Sequence, residues 1–216
     1  MKRQTVGKIA REHLLSELPG FSVTRGIIHK TPVGGLLRGF WFDSSAYDKH
    51  TAYVYVFVQP LYVPRDHLVF NFAKRLECRL SFLRSKQAWD LRDENLASTT
   101  QVLRKVMACD GLAFLRRRDT VELFIRTLRY GIRIGNSIFD REAIAYSLVW
   151  LGRYWNASMR LKALIRSVKP DDLRQDVREN AEQLLRAIQA GPSNAQDLLR
   201  RWAEETSRHL HLPTES

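Results

Sequence analysis

Thr51-Ala-Tyr-Val-Tyr-Val-Phe-Val-Gln-Pro60 decides the fold. At a strand's period of two, Tyr53, Tyr55 and Phe57 fall on one face and Val54, Val56 and Val58 on the other. Only an extended backbone separates the two sets, and β-branched and aromatic side chains suit a pleated surface. A strand apolar on both faces belongs in the middle of a sheet, with both faces covered. Gln59-Pro60 ends it, because proline brings no N–H to a central ladder.

Working outward, residues 3–18 read as an amphipathic helix. Val6, Ile9, Ala10, Leu14 and Leu18 recur at helical spacing, His13 lies on or beside that stripe, and Pro19-Gly20 stops it. Phe21 to Thr31 and Leu36 to Asp43 read as strands joined by the turn Pro32-Val33-Gly34-Gly35. Together with the opening stretch they form an antiparallel meander, and the N-terminal helix should cover its valine face. Leu61 to Asp66 is expected to continue as a bent edge strand. Residues 67–91 mix two periods, which predicts a loop, a short strand and a helical segment.

From Asn95 the period is helical. Helices are expected over 96–107, broken by Asp110-Gly111, then from Leu112, after Thr120, after Asp140, over 154–168, after Asp171 to Ala190, and after Ser193 or Asn194. Ala145, Leu148, Gly152, Tyr154, Ala157, Leu161 and Pro170 have the spacing of a single tetratricopeptide-like hairpin, without a second copy. The fold class is therefore α+β. An N-terminal helix and an antiparallel β-meander of three to four strands precede a helical half of short hairpins. Residues 1–216 are expected to form a single compact domain, 1–92 being the sheet-containing half and 93–216 the helical half.

Charge is the dominant global property. The 216 residues carry 35 Lys and Arg against 23 Asp and Glu, a net charge of +12. Residues 101–170 carry 14 of the cations and 5 of the acids, so the middle of the chain is the basic region. Such a chain is attracted to polyanions: nucleic acid, an anionic membrane or an acidic protein partner. No apolar run spans a bilayer and the basic N-terminus lacks an apolar signal core, which implies a cytoplasmic protein and no membrane partner. Cys78 and Cys109 lack metal or redox spacing and read as two buried free thiols.

Gly20-Phe21, the aromatic strand Leu36 to Phe42 and the strand ending Phe57-Val-Gln-Pro60 resemble a group of uncharacterised bacterial proteins, catalogued as a domain of unknown function. Asp110-Gly-Leu-Ala-Phe-Leu115 and residues 145–153 are similar in character to the helical halves of such proteins. The resemblance covers the first 80 residues or so. It implies a bacterial or phage-related cytoplasmic protein and carries no catalytic residues with it.

No residue pattern specifies a cofactor, a metal or a catalytic set. Gly34, Gly35 and Gly39 lack the Lys-Ser/Thr of a phosphate loop. Asp66-His67 and Asp48-Lys49-His50 put acid beside base without a nucleophile, and Asp43 and Asp48 lack the further strand-borne acid that a nuclease needs. Arg116, Arg117, Arg118, Arg126, Arg129 and Arg133 are the candidate nucleic-acid or anion-binding set, because arginine's planar fork matches phosphate. A solvated face partly neutralised by Asp119 and Glu122 accounts for them equally. Tyr130, Trp150 and Trp155 lie near them, as base-stacking or as core residues. The leading expectation is a non-enzymatic interaction protein. It would be an accessory subunit of a bacterial assembly, such as a phage-defence or toxin system, docking a protein partner through its helical half. The alternative is sequence-nonspecific DNA or RNA binding by the arginines, and a hydrolase or nuclease is third.

Overall fold

The computed structural model describes residues 3–45, 48, 50–81, 84–86, 88–130, 137–169 and 174–213. The protein is α+β: an N-terminal helix, an antiparallel sheet, then helices. It divides into two compact units, Met1–Gln59 with Phe70–Arg117 and Pro60–Val69 with Arg118–Ser216. The helical period does begin near Asn95, at helix Asp93–Val106, but that helix belongs to the sheet unit.

In the sheet unit, strands β1 (Phe21–Thr24), β2 (Ile27–Lys30), β3 (Leu36–Ser44), β4 (Thr51–Pro60) and β5 (Ala73–Leu76) follow one another in space as in sequence. The stretch Phe21 to Thr31 is thus a tight hairpin and not one strand. Arg25 and Gly26 take φ of +47° and +86°, the positive values that a two-residue hairpin turn requires. β4 is central, between β3 and β5, and Ala52, Val54, Val56 and Val58 are fully buried on one face. The other face departs from expectation: Phe57 is buried, but Tyr53 and Tyr55 are only half-buried. Arg75 lies directly opposite Tyr55 on β5, donates to its hydroxyl at 2.7 Å and stacks over Tyr53 at 4.4 Å.

Residues 67–91 hold no helix among the described residues. β5 is followed by the ribbon β6 (Cys78–Ser81) and β7 (Arg84–Lys86), then by β8 (Trp89–Asp90), which pairs with the start of β4. Trp89 is buried and donates its indole N–H to the Leu76 carbonyl at 3.2 Å. Leu61 to Asp66 is likewise not an edge strand but a segment of turns within the helical unit.

The valine face is covered from two directions. Helix α1 (Arg3–Ile9), continued by a π-helical turn over Ala10–Leu14, brings Gly7 over Val23 of β1. Helix α2 (Asp93–Val106) runs through a π-helical turn, Met107–Gly111, into α3 (Leu112–Arg116). Asp110-Gly111 therefore does not break the helix. Gly111 is there for close approach: a Cβ on it would stand 2.5 Å from the Phe40 ring and 3.7 Å from Leu76. Cys109, on the same turn, is free and exposed, where burial was expected.

The helical unit contains α4 (Val121–Tyr130), α5 (Ile138–Trp150), α6 (Tyr154–Ser167), α7 (Gln175–Ala190) and α8 (Pro192–His209). Ser137 caps α5 by accepting from the Phe139 N–H at 3.2 Å, which leaves Asp140 inside the first turn. α5 and α6 form the expected hairpin. Gly152 at φ +70° closes α5, with its N–H on Val149 O and the Arg153 N–H on Leu148 O, both at 2.8 Å. Ala145 and Ala157 are fully buried, as close helix packing requires. Pro192 opens α8 as its first residue, so the cap is Gly191 and not Ser193 or Asn194. The expected cap Asp171 lies outside the described residues.

Gly111→Ala should destabilise the protein by about 1–3 kcal/mol through overpacking against Phe40. Adding Phe40→Leu to that variant should recover part of the loss. Urea unfolding midpoints of the two variants test this; a neutral Gly111→Ala would show that the contact is not tight.

Candidate nucleic-acid interface

Perturbed acids gather on α5, which is the first place to look for chemistry. This helix is buried nearly all round from Asp140 to Val149. Glu142 is 1% exposed and ion-paired with Arg65, at 10%. Burial raises the Glu142 carboxyl to about 7 against the pull of the Arg65 guanidinium, and burial raises Asp140 to about 6. One turn on from Glu142, the buried Tyr146 stacks on Trp202 at 5.7 Å. Tyr62 is fully buried, shares a 2.6 Å hydrogen bond with Ser147 and stacks on Trp150 at 4.8 Å.

These groups fasten the chain and present no reactive surface. Tyr62 and Arg65 lie in the segment Pro60–Val69; the Tyr62 hydroxyl and one Arg65 guanidinium N–H bond to α5, another donates to the Pro64 carbonyl at 2.7 Å, and the Arg65 backbone N–H donates to Thr206 of α8 at 3.3 Å. The Arg65 guanidinium also covers the Phe139 ring at 5.8 Å. Sequence reading passed over the pair because 77 residues separate its members.

The acid–base neighbours of the loops are engaged locally. Asp48 accepts from the His50 N–H at 2.9 Å and the Thr51 hydroxyl at 2.7 Å, which hold its carboxyl below the usual range. Asp66 and His67 are hydrogen-bonded to each other, both exposed. Asp43 is exposed. Among the described residues, no group of three metal-ligating side chains occurs and no helix is long and apolar enough to cross a membrane.

The candidate arginines fall on both units. Arg116 is exposed on α3, where its Nε donates to Leu112 O, and Arg117 is exposed at the end of that helix. Arg118 is half-buried and engaged. Arg126 and Arg129 are exposed one turn apart on α4, while Arg133 lies outside the described residues. Tyr130 ends α4, Trp150 is packed against Tyr62, and Trp155 is 77% exposed.

α6 supplies what the arginine count missed. Residues 143–170 contain Arg153, Arg160, Lys162, Arg166 and Lys169 and no Asp or Glu. On the helix, Ala157, Leu161 and Leu164 are buried, and the opposite side carries Trp155, Met159, Lys162 and Arg166 at i, i+4, i+7 and i+11. Met159 is 53% exposed. Burial, and after it the Arg129 guanidinium of α4, lowers the Arg160 pKa. None of Arg126, Arg129, Arg153, Arg160, Lys162 and Arg166 forms an ion pair with a described residue. The sequence signal was available in the acid-free run, but the candidate set was chosen by arginine clustering alone.

No family model, no curated protein and no solved structure matches the chain.

Above the folded Glu142 pKa of about 7, Arg65→Met should cost about 3–5 kcal/mol, because it leaves a buried carboxylate without its counter-charge. The pH dependence has a definite sign. Unfolded Glu142 titrates near 4.5 and folded near 7, so the folded state holds a proton that the unfolded state has lost between those values. The stabilisation is complete below the lower value and is lost as pH rises through about 7. Asp140 acts with the same sign, from 3.8 to about 6. Glu142→Gln should flatten the decline in stability over that window, read from denaturation midpoints at several pH values; an unchanged profile would show that Glu142 stays ionised throughout.

Proposed function

We propose that the protein is a non-enzymatic, sequence-nonspecific nucleic-acid-binding protein that engages the phosphate backbone through the α4 and α6 face of its helical unit. One observation carries the reading: the cations of these two helices form no ion pair among the described residues. Arg129 and Arg160 raise each other's energy in the free protein, and a chain of phosphates relieves that repulsion while releasing its own counterions. The role fits an accessory component of a bacterial cytoplasmic assembly. The sequence-nonspecific character follows from contacts made to phosphate, which carry no base information.

A second reading is docking of an acidic protein partner on the same helical unit, and the exposed Trp155 and Met159 favour it. Both residue types are enriched at interface cores.

Binding of duplex DNA should weaken steeply with salt, with a log–log slope of about −0.9 per phosphate neutralised. Arg129→Ala and Arg160→Ala should each flatten that slope by about one unit, equally for unrelated sequences. Arg116→Ala with Arg117→Ala measures separately whether the sheet unit contributes. Absence of binding to any nucleic acid at low salt would overturn the reading and leave protein docking, which tolerates salt and fails on Trp155→Ala.

A further inference from the structure

Trp155 is 77% exposed, an unusual position for the largest apolar side chain. It is not a frayed end: its neighbours Ala157, Leu161 and Leu164 are buried in the same helix, so the helix is fixed and the indole points away from the seam it packs on. Met159, one turn on, is the other large apolar group exposed in this unit among the described residues. Lys162 and Arg166 continue the stripe, which spans ~16 Å at the helical rise of ~1.5 Å per residue. An indole with free π-faces, a flexible thioether and two cations in line match the repeating parts of one nucleotide strand.

We infer that this stripe of α6 binds single-stranded nucleic acid, with Trp155 stacking on an unpaired base and Lys162 and Arg166 holding phosphates along the same strand. The inference rests on the proposed polyanion site and narrows its ligand. Within a duplex each base is stacked on its neighbours, so a stacking side chain selects an unpaired base. Stacking is tolerant of base identity, which agrees with binding that ignores sequence. The charge pattern favours a nucleotide strand over the other occupants. A stable protein interface buries roughly 800 Å² on each side around a core depleted in lysine, and two apolar residues followed by Lys162 and Arg166 offer no such core. A membrane-surface helix needs one continuous apolar face, and the face opposite the cations of α6 is already buried within the unit.

The test measures fluorescence anisotropy of labelled oligothymidine, duplex DNA of equal length and heparin, the last as a polyanion without bases. The full-length protein, Trp155→Ala, Trp155→Phe and Lys162→Ala with Arg166→Ala are compared at several ionic strengths, after thermal melting shows each variant folded. The expected result is tighter binding of the single strand than of the duplex. Trp155→Ala should lose about 5- to 100-fold in single-strand affinity, with heparin binding and the salt slope unchanged, and Trp155→Phe should restore most of it. The double cation variant should flatten the salt slope for every ligand. Equal binding of strand, duplex and heparin, or full single-strand affinity in Trp155→Ala, would overturn the stacking site while leaving the polyanion reading intact. No binding to any of the three at low salt would overturn both.

Discussion

The buried pair Arg65–Glu142 is the contact on which the chain's organisation depends. The backbone leaves the central strand β4 after Gln59, enters the helical unit for ten residues, and returns to the sheet unit at Phe70. That excursion is held by Tyr62 on Ser147 and Trp150 and by Arg65 on Glu142. A charge pair at this depth gains little over an apolar contact of equal volume, yet breaking one side is costly. The helical unit thus needs a segment that lies between two strands of the sheet unit, and residues 118–216 alone would leave Glu142 buried without its guanidinium.

The same arrangement separates the rigid parts from the available ones. α5 is buried nearly all round and spends its polar groups on the inserted segment. α6 packs one stripe and keeps the other in water, and the acids that elsewhere neutralise Lys and Arg are missing from it. Arg178, by contrast, is paired with Glu182 on α7 and Arg200 with Asp197 on α8. Each of the last two helices thus holds one such pair, and among the described residues none forms on α6.

Perturbed protonation does not mark the site in this protein. The acids raised farthest, Glu142 and Asp140, are raised because they are buried, and Glu142 already has its partner. Asp90, held well below the usual carboxylate range by the Arg92 guanidinium, closes a surface turn. The proposed binding stripe of α6 is exposed. It is visible through geometry and charge count instead.

The sequence by itself determined what depends on local periodicity. The alternation of valine and tyrosine placed β4 at the centre of a sheet, Thr120 placed the start of α4, and the run 143–170 holds no acid. Where the local signal was ambiguous, tertiary contacts decided. Asp110-Gly111 has the composition of a helix stop, yet the chain stays helical there, and the missing Cβ of Gly111 leaves room for the Phe40 ring. Phe21 to Thr31 has strand composition throughout, yet the turn at Arg25-Gly26 folds it into two strands. Leu61 to Asp66 has the apolar content of an edge strand, yet its partners are helix residues some 77 and 85 positions away. No period within the segment encodes those partners, because pairing over such distances is set by which surfaces meet after the elements have formed.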